Sequence, residues 1–363
     1  MNKCIIWGLA LCLAASGCSK KDKTNKTKAQ SKVTTPTEVK ATPPVTPEPP
    51  KKMTGEQLAA RHQECMAAWS AKDEVKFKGC LTAGATVEMV DSGLPPGAGP
   101  DGAIALAKGF WTGFPDIKSE PQLILVNGNH VVSIDYLSGT NTGEFNAMPA
   151  TNKKIGLLIA HVVEVDDVLG KAKRVQGFVD MATMMGQLGL NPKGKFRPVM
   201  EKGGELKIVV GGNAAAEPAN LAAVRSGVEK VNAHDATGLA ALFADDGSES
   251  DQTAPLDIKG KAALTKNIQG WFAAFPDVKL TLEKELGAGD YVANVGWMEG
   301  TNTGDMKAWG LKKTGKSVRL SYVEIMKLTD GKVTELWRFW NCMAMATQLG
   351  LVPPPGGAGG TPP

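Results

Sequence analysis

Gly139-Thr140-Asn141-Thr142-Gly143 reappears as Gly300-Thr301-Asn302-Thr303-Gly304, 161 residues further along the chain. On either side of it, Phe114-Pro115-Asp116 returns as Phe275-Pro276-Asp277, and Gln187-Leu188-Gly189-Leu190 as Gln348-Leu349-Gly350-Leu351, both at the same spacing. Three identical motifs at one offset mark a duplicated domain of about 140 residues rather than a solenoid repeat. The common offset predicts that no insertion separates the copies, so His161 has Tyr322 as its counterpart and Asp180 has Asn341. The copies are expected at 53–191 and 213–353, joined by a linker, 192–212, in which Leu206 to Val210 suits an extended strand. A Pro/Gly tail, 354–363, is expected to be disordered.

Each copy changes period along its length. Leu221, Val224, Val228 and Val231 fall on one helical face. A second helix carries Leu239, Leu242 and Phe243, and a third ends near Trp271 and Phe272. Alternation then takes over at Tyr291, Ala293, Val295 and Trp297, and again at Val318, Leu320 and Tyr322. Helices followed by antiparallel strands predict an α+β fold, with about three helices packed on one face of a sheet. The repeated motifs read mainly as structure. Phe-Pro-Asp stops a helix, Gly-Thr-Asn-Thr-Gly makes a turn or bulge, and Gln-Leu-Gly closes the last helix.

The 363 residues carry a net charge of +4, unevenly spread. Residues 19–52 hold +6, which leaves −3 from Met53 onward once the leader is set aside. A slightly acidic folded part offers no electrostatic footprint for nucleic acid. Met1 to Gly17 reads as an export signal, with Lys3, an apolar stretch from Ile5 and small residues before Cys18. The segment resembles a bacterial lipobox, with Ala15 where Leu is preferred. That resemblance implies cleavage before Cys18 and its lipidation, hence a lipid-anchored protein of the cell envelope. Ser19 in place of Asp favours the outer membrane over the inner. Residues 18–52, rich in Lys, Thr and Pro, are expected to form a disordered tether. Cys65, Cys80 and Cys342 remain in a compartment that permits disulfides. Cys65 and Cys80 lie on consecutive predicted helices, where sequence does not fix whether they bridge. His62, His130, His161 and His234 are too scattered for a metal motif, and no phosphate-cradling glycine loop occurs, so neither metal nor cofactor is expected.

The ordered series of Phe-Pro-Asp, strand, Gly-Thr-Asn-Thr-Gly, strand, Asp-Gly-Lys, strand and Gln-Leu-Gly resembles the SnoaL-like polyketide cyclases, or ester cyclases, of the nuclear-transport-factor-2-like superfamily. The resemblance covers nearly all of both copies. It implies two cone-shaped domains, each with an apolar cavity, and a sheet-face contact that a tandem chain can satisfy internally as a pseudo-dimer. The family's general acid/base is an Asp seven residues before the Gln of Gln-Leu-Gly. By position that is Asp180 in the first copy, whereas the second has Asn341, which cannot take a proton from carbon. Near Phe178, Val179, Met181 and Met184 a cavity carboxylate would be desolvated and its pKa raised. The second copy keeps Asp330-Gly331-Lys332 and Trp337, while the first has Gln176 where that Trp belongs.

His161, mid-strand, either partners Asp180 in a pocket or is a half-buried histidine of the sheet. Glu324 is either a buried carboxylate on the face of Tyr322 or part of an ion pair between domains. The candidate catalytic residues are thus Asp180 and His161, and the candidate ligand contacts are Gln176, Phe178, Tyr322, Glu324, Trp337 and Asn341. Trp111, Trp271, Trp297, Met181, Met184 and Met185 line a cavity or fill a core. Three functions follow: binding of a small apolar or amphipathic molecule, cyclase or isomerase chemistry on a carbonyl compound through Asp180, and a structural role through protein contacts.

Overall fold

The structure, a computed structural model, describes residues 50–191, 195–212 and 214–352. The export signal, Cys18, the tether as far as Pro49, and the tail 354–363 lie outside these residues. The first copy runs α1 (Gly55–Ser70), α2 (Glu74–Gly79), β1 (Leu81–Met89), β2 (Gly97–Ala98), α3 (Gly99–Gly113), β3 (Lys118–Asn127), β4 (His130–Thr140), β5 (Lys154–Asp166), β6 (Lys171–Phe178) and α4 (Met181–Gln187). After β7 (Lys207–Val210) the second runs α5 (Glu217–Asn232), α6 (Ala236–Ala240), β8 (Phe243–Asp251), β9 (Ile258–Lys259), α7 (Lys261–Ala274), β10 (Lys279–Ala288), β11 (Tyr291–Thr301), β12 (Ser317–Thr329), β13 (Lys332–Phe339) and α8 (Cys342–Gln348).

The sheets are ordered β2-β1-β6-β5-β4-β3-β7 and β10-β11-β12-β13-β8-β9. Both are mixed rather than purely antiparallel as expected. β1 pairs parallel with β6, β8 with β13, and the linking strand β7 with β3. In the first two pairs the strand leaving the helical hairpin lies beside the domain's last strand, with four strands between them in sequence. Among the described residues each domain carries four α-helices, and the second adds a short 3-10 helix, Lys307–Trp309.

The repeated motifs bind one another, which explains their recurrence. Asp116 accepts from the Thr140 backbone N–H at 2.6 Å and from its hydroxyl at 2.7 Å, and Asp277 accepts from the Thr301 N–H at 2.6 Å. Buried Asn141 donates to the Gly113 and Gly143 carbonyls and accepts from Thr151. Asn302 does the same with Ala274, Gly304 and Thr314. Any Cβ at Gly143 or Gly304 would collide with the backbone of the preceding helix.

The equal offset of these motifs conceals two length changes that cancel. The connection from the second motif glycine to the next strand is two residues longer in the second copy, and the following hairpin turn is two residues shorter. β5 therefore matches β12 at 163 residues, not 161. Register and side chains agree. Ser133 faces His161 where Asn294 faces Glu324. Gln187 brackets the backbone of Gly156, and Gln348 that of Arg319. The counterpart of His161 is accordingly Glu324, which corrects the expected pairing with Tyr322.

Both faces of each sheet are buried. The helix-covered face of the first contributes Val131, Ile159, Val163 and Val179 to a core with Leu58, Phe110 and Trp111. On the opposite face Val132, Ile134, Ala160, Val162 and Phe178 form one cluster with Leu286, Ala293, Val295, Val323, Ile325 and Phe339 of the other sheet. Asn127 donates to the Gly287 carbonyl at 2.7 Å, and the Ser321 N–H donates to Asp91 at 2.8 Å across this contact.

Cys65 of α1 and Cys80, directly after α2, form a disulfide with a Cα separation of 5.9 Å. Closing a loop of that length contributes about 3 kcal/mol through the unfolded state. The Cys65→Ala/Cys80→Ala variant should therefore melt several degrees lower, as should the parent chain under reducing conditions, with the double variant insensitive to reductant.

Candidate functional site

Helix α1 enters with a capping box in which Thr54 and Gln57 satisfy each other's backbone donors. Leu58, His62, Cys65 and Trp69 then recur on its buried face at helical spacing. That face and the helix-covered side of the first sheet enclose a cavity of about 120 Å³. Its wall is mostly apolar, with Trp69, Phe110, Leu137 and Val179, and its polar end is His62, Ser119 and His161. Behind that end lies Asp135, fully buried. The Ser119 hydroxyl donates to Asp135 Oδ2 at 3.0 Å, and His161 Nδ1 lies 3.4 Å from the same oxygen. Neither His161 Nδ1 nor Asp135 Oδ1 has a hydrogen-bond partner, so the contact is an ion-pair distance without bond alignment. His62 Nε2 meets the Ser133 hydroxyl at 3.0 Å. Burial pushes the His62 imidazole down to about 4 and keeps it neutral at pH 7. Burial also works against the Asp135 carboxylate, but His161 and His62 outweigh it and hold the group below the ordinary carboxylate range.

The second domain has a cavity of about 100 Å³ in the corresponding place. Trp271, Phe272, Tyr322 and Trp340 line it together with Glu249, Glu324 and Arg338. Arg338 donates to Glu249 at 2.6 Å and to Glu324 at 2.7 Å, and Asp251 lies 3.8 Å away. Burial raises the Glu249 carboxyl, partly offset by Arg338. Burial opposes the Arg338 charge, but Glu249, Glu324 and Asp251 outweigh it and hold the guanidinium protonated. Among the described residues no group of His, Cys, Asp and Glu is placed to hold a metal ion.

The SnoaL-like polyketide cyclase family matches residues 60–188 and 222–349, which together make up more than half of the chain. The chain belongs to the SnoaL-like polyketide cyclase family. Each of three similar crystal structures matches somewhat over a third of this SnoaL-like chain. AclR from Streptomyces galilaeus is 26% identical over 38% of this chain and 84% of its own, with a TM-score of 0.34. A SnoaL-like protein from Jannaschia sp. CCS1 is 19% identical over 39% and 99%, with a TM-score of 0.36. IdmH from Streptomyces antibioticus is 22% identical over 36% and 98%, with a TM-score of 0.32. Among curated proteins none is similar enough to count as a relative.

Strand parity divides the expected site residues of these SnoaL-like domains. His161 lines the first cavity, and Tyr322 and Glu324 line the second. Glu324 forms its ion pair inside that cavity, not between domains. Asp180, Phe178 and Gln176 alternate with Val179 and Gly177, and it is the latter pair that reaches the first cavity. Phe178 belongs to the cluster between the sheets. Asp180, 2% exposed, is the N-cap of α4, accepting from Ala182 at 3.3 Å and Thr183 at 2.8 Å. Its Oδ1 also accepts from the Cys342 N–H of the second domain at 2.9 Å. Asn341 is its mirror. It caps α8 and donates to the Asp91 carbonyl of the first domain at 2.9 Å. Trp337 packs against the same inter-sheet cluster. The carboxylate expected in the cavity therefore joins the domains, and Gln176, Phe178, Trp337 and Asn341 lie on the outer sheet faces, away from the cavities. Burial still raises the Asp180 carboxyl, to about 6, against the pull of its donors.

The remaining candidates also separate. Trp271 lines the second cavity, while Trp111, Met184 and Met185 belong to the first core. Trp297 lies outside both cavities, with the Arg319 guanidinium 3.7 Å over its ring. Sequence reasoning missed His62, Ser119, Ser133 and Asp135 at the first site and Glu249, Asp251 and Arg338 at the second. A usable signal existed for Asp135, which interrupts the apolar run Val131 to Leu137. A carboxylate in a buried strand demands partners.

Proposed function

We propose that the first domain binds a small, largely apolar molecule in its cavity, with the ligand's polar group at His161. The observation that carries this reading is the apolar hollow that ends in the side chains of His62, Ser119 and His161. Apolar walls supply affinity, and a few convergent polar groups fix orientation. Native mass spectrometry of the chain isolated from its own host should show one copurifying small molecule. Ala107→Phe, which puts a ring into the hollow, should abolish it. A parent chain that carries no such molecule and binds no apolar probe overturns the reading.

The Asp135–His161 pair favours a second reading, proton transfer on a carbonyl compound. A carboxylate behind an imidazole orients it and stabilises its protonated form, so His161 would act where the family pattern points to Asp180. The signal-like Met1 to Gly17 and Cys18 further support a lipid-anchored envelope protein. The Cys65–Cys80 disulfide fits such an oxidising compartment, and the inter-sheet cluster fits an intrachain pseudo-dimer.

A further inference from the structure

Among the described residues the second cavity holds more carboxyl groups than cations, with the Asn267 amide, 3.4 Å from Glu249, as a further but neutral donor. Three carboxyl groups, Glu249, Asp251 and Glu324, surround one guanidinium, that of Arg338. Asp251 is otherwise satisfied by the Trp340 indole N–H at 3.1 Å and by Thr253. Glu249 is 3% exposed, and a buried carboxyl in excess of its partners is costly. Hydrogen-bonding capacity is also unspent on the same sheet face. The Tyr322 phenol, on a residue 4% exposed that lines the cavity, has no partner. Asn294, fully buried and paired in register with Glu324, has none for either atom of its amide. The opposite wall is aromatic, with Trp271 edge-on to Trp340 at 6.0 Å. Indole rings attract cations through their π faces, more strongly when water is excluded.

We infer that the second cavity binds an amphipathic organic cation, a protonated amine on an apolar body. The ammonium sits at Glu249 and Glu324 with an N–H toward the Tyr322 oxygen, and the apolar body lies against Trp271 and Trp340. An ammonium supplies both the missing positive charge and the missing donors, and a neutral ligand of the same shape supplies no charge. The first cavity has a histidine where Glu324 stands and selects a different ligand, so this site does not depend on the reading given for that domain.

The test uses the full chain with benzylammonium and benzyl alcohol, two probes of nearly the same shape that differ in charge, followed by tryptophan fluorescence and calorimetry at pH 7. Benzylammonium should bind at least tenfold more tightly than the alcohol. Glu324→Gln, once its melt shows it folded, should lose at least tenfold in benzylammonium affinity and leave the alcohol unchanged. Ala107→Phe, which fills the other cavity, should change neither. Equal affinity of the two probes, or no benzylammonium binding, overturns the inference, as does loss of binding in Ala107→Phe. Should Glu324→Gln fail to fold, the preference of the parent chain decides alone.

Discussion

At pH 5, Asp180→Ala should lower the unfolding free energy by about 3 kcal/mol, visible in denaturant melts. The side chain accepts from Ala182, Thr183 and Cys342, and alanine leaves all three buried N–H groups without an acceptor. One of those donors belongs to the other domain, so the loss falls on the contact between domains as well as on α4. The effect depends on pH with a definite sign. Asp180 titrates near 6 when folded and near 3.8 when unfolded, so the folded chain holds the proton more tightly. Its contribution is complete below pH 4 and is lost as pH rises through 6, a change on the order of 3 kcal/mol. The deficit of Asp180→Ala against the parent should therefore shrink between pH 5 and pH 8. Asp180→Asn, which retains an acceptor but no titrating group, should flatten the same pH profile. A residue serving chemistry alone predicts the opposite pattern, with stability unchanged or improved by substitution. If both variants melt like the parent at every pH, the capping role is wrong.

Arg338→Met should be at least as damaging, by about 3–5 kcal/mol at pH 8. The guanidinium is the shared partner of Glu249, Glu324 and Asp251, and removing it leaves largely buried carboxyl groups facing one another. Burial already raises the Glu249 carboxyl, and losing Arg338 removes the charge that opposes that rise, so the folded chain holds this proton more tightly than the unfolded one. Stability is then greatest below the ordinary carboxylate range and falls as pH rises, so the deficit should be far smaller at pH 4 than at pH 8. Adding Glu324→Leu should restore part of the loss at pH 8 by removing one unpaired charge. A deficit independent of pH would show that Arg338 acts through packing of its stem.

The duplication and the α+β class were legible because they rest on identical motifs and on a change of period from helix to strand. The structural character of the motifs was legible from composition, but that Asp116 binds Thr140 was not, because the two lie 24 residues apart. The site was harder to read for two physical reasons. First, the two length changes lie between motifs that stay in step, so counting from either side assigned Tyr322 rather than Glu324 to the place of His161. Second, parity helps only when one face of a sheet is wet. Here helices bury one face and the partner sheet the other, and Gln176, Phe178, Val179 and Asp180 are all 8% exposed or less. Hydropathy cannot tell which of them looks into the hollow. Reading the mixed pairing needed long-range information as well, because β1 meets β6 across most of the domain.

The clustering of both outer sheet faces within one chain has a consequence for divergence. Two identical subunits meeting through such a surface must carry identical pockets, because one gene writes both. Covalent fusion lifts that constraint while the contact itself stays fixed. One half can then keep an imidazole backed by Asp135 while the other acquires Glu324 and Arg338. The result is a single polypeptide with two unlike cavities in a fixed one-to-one ratio.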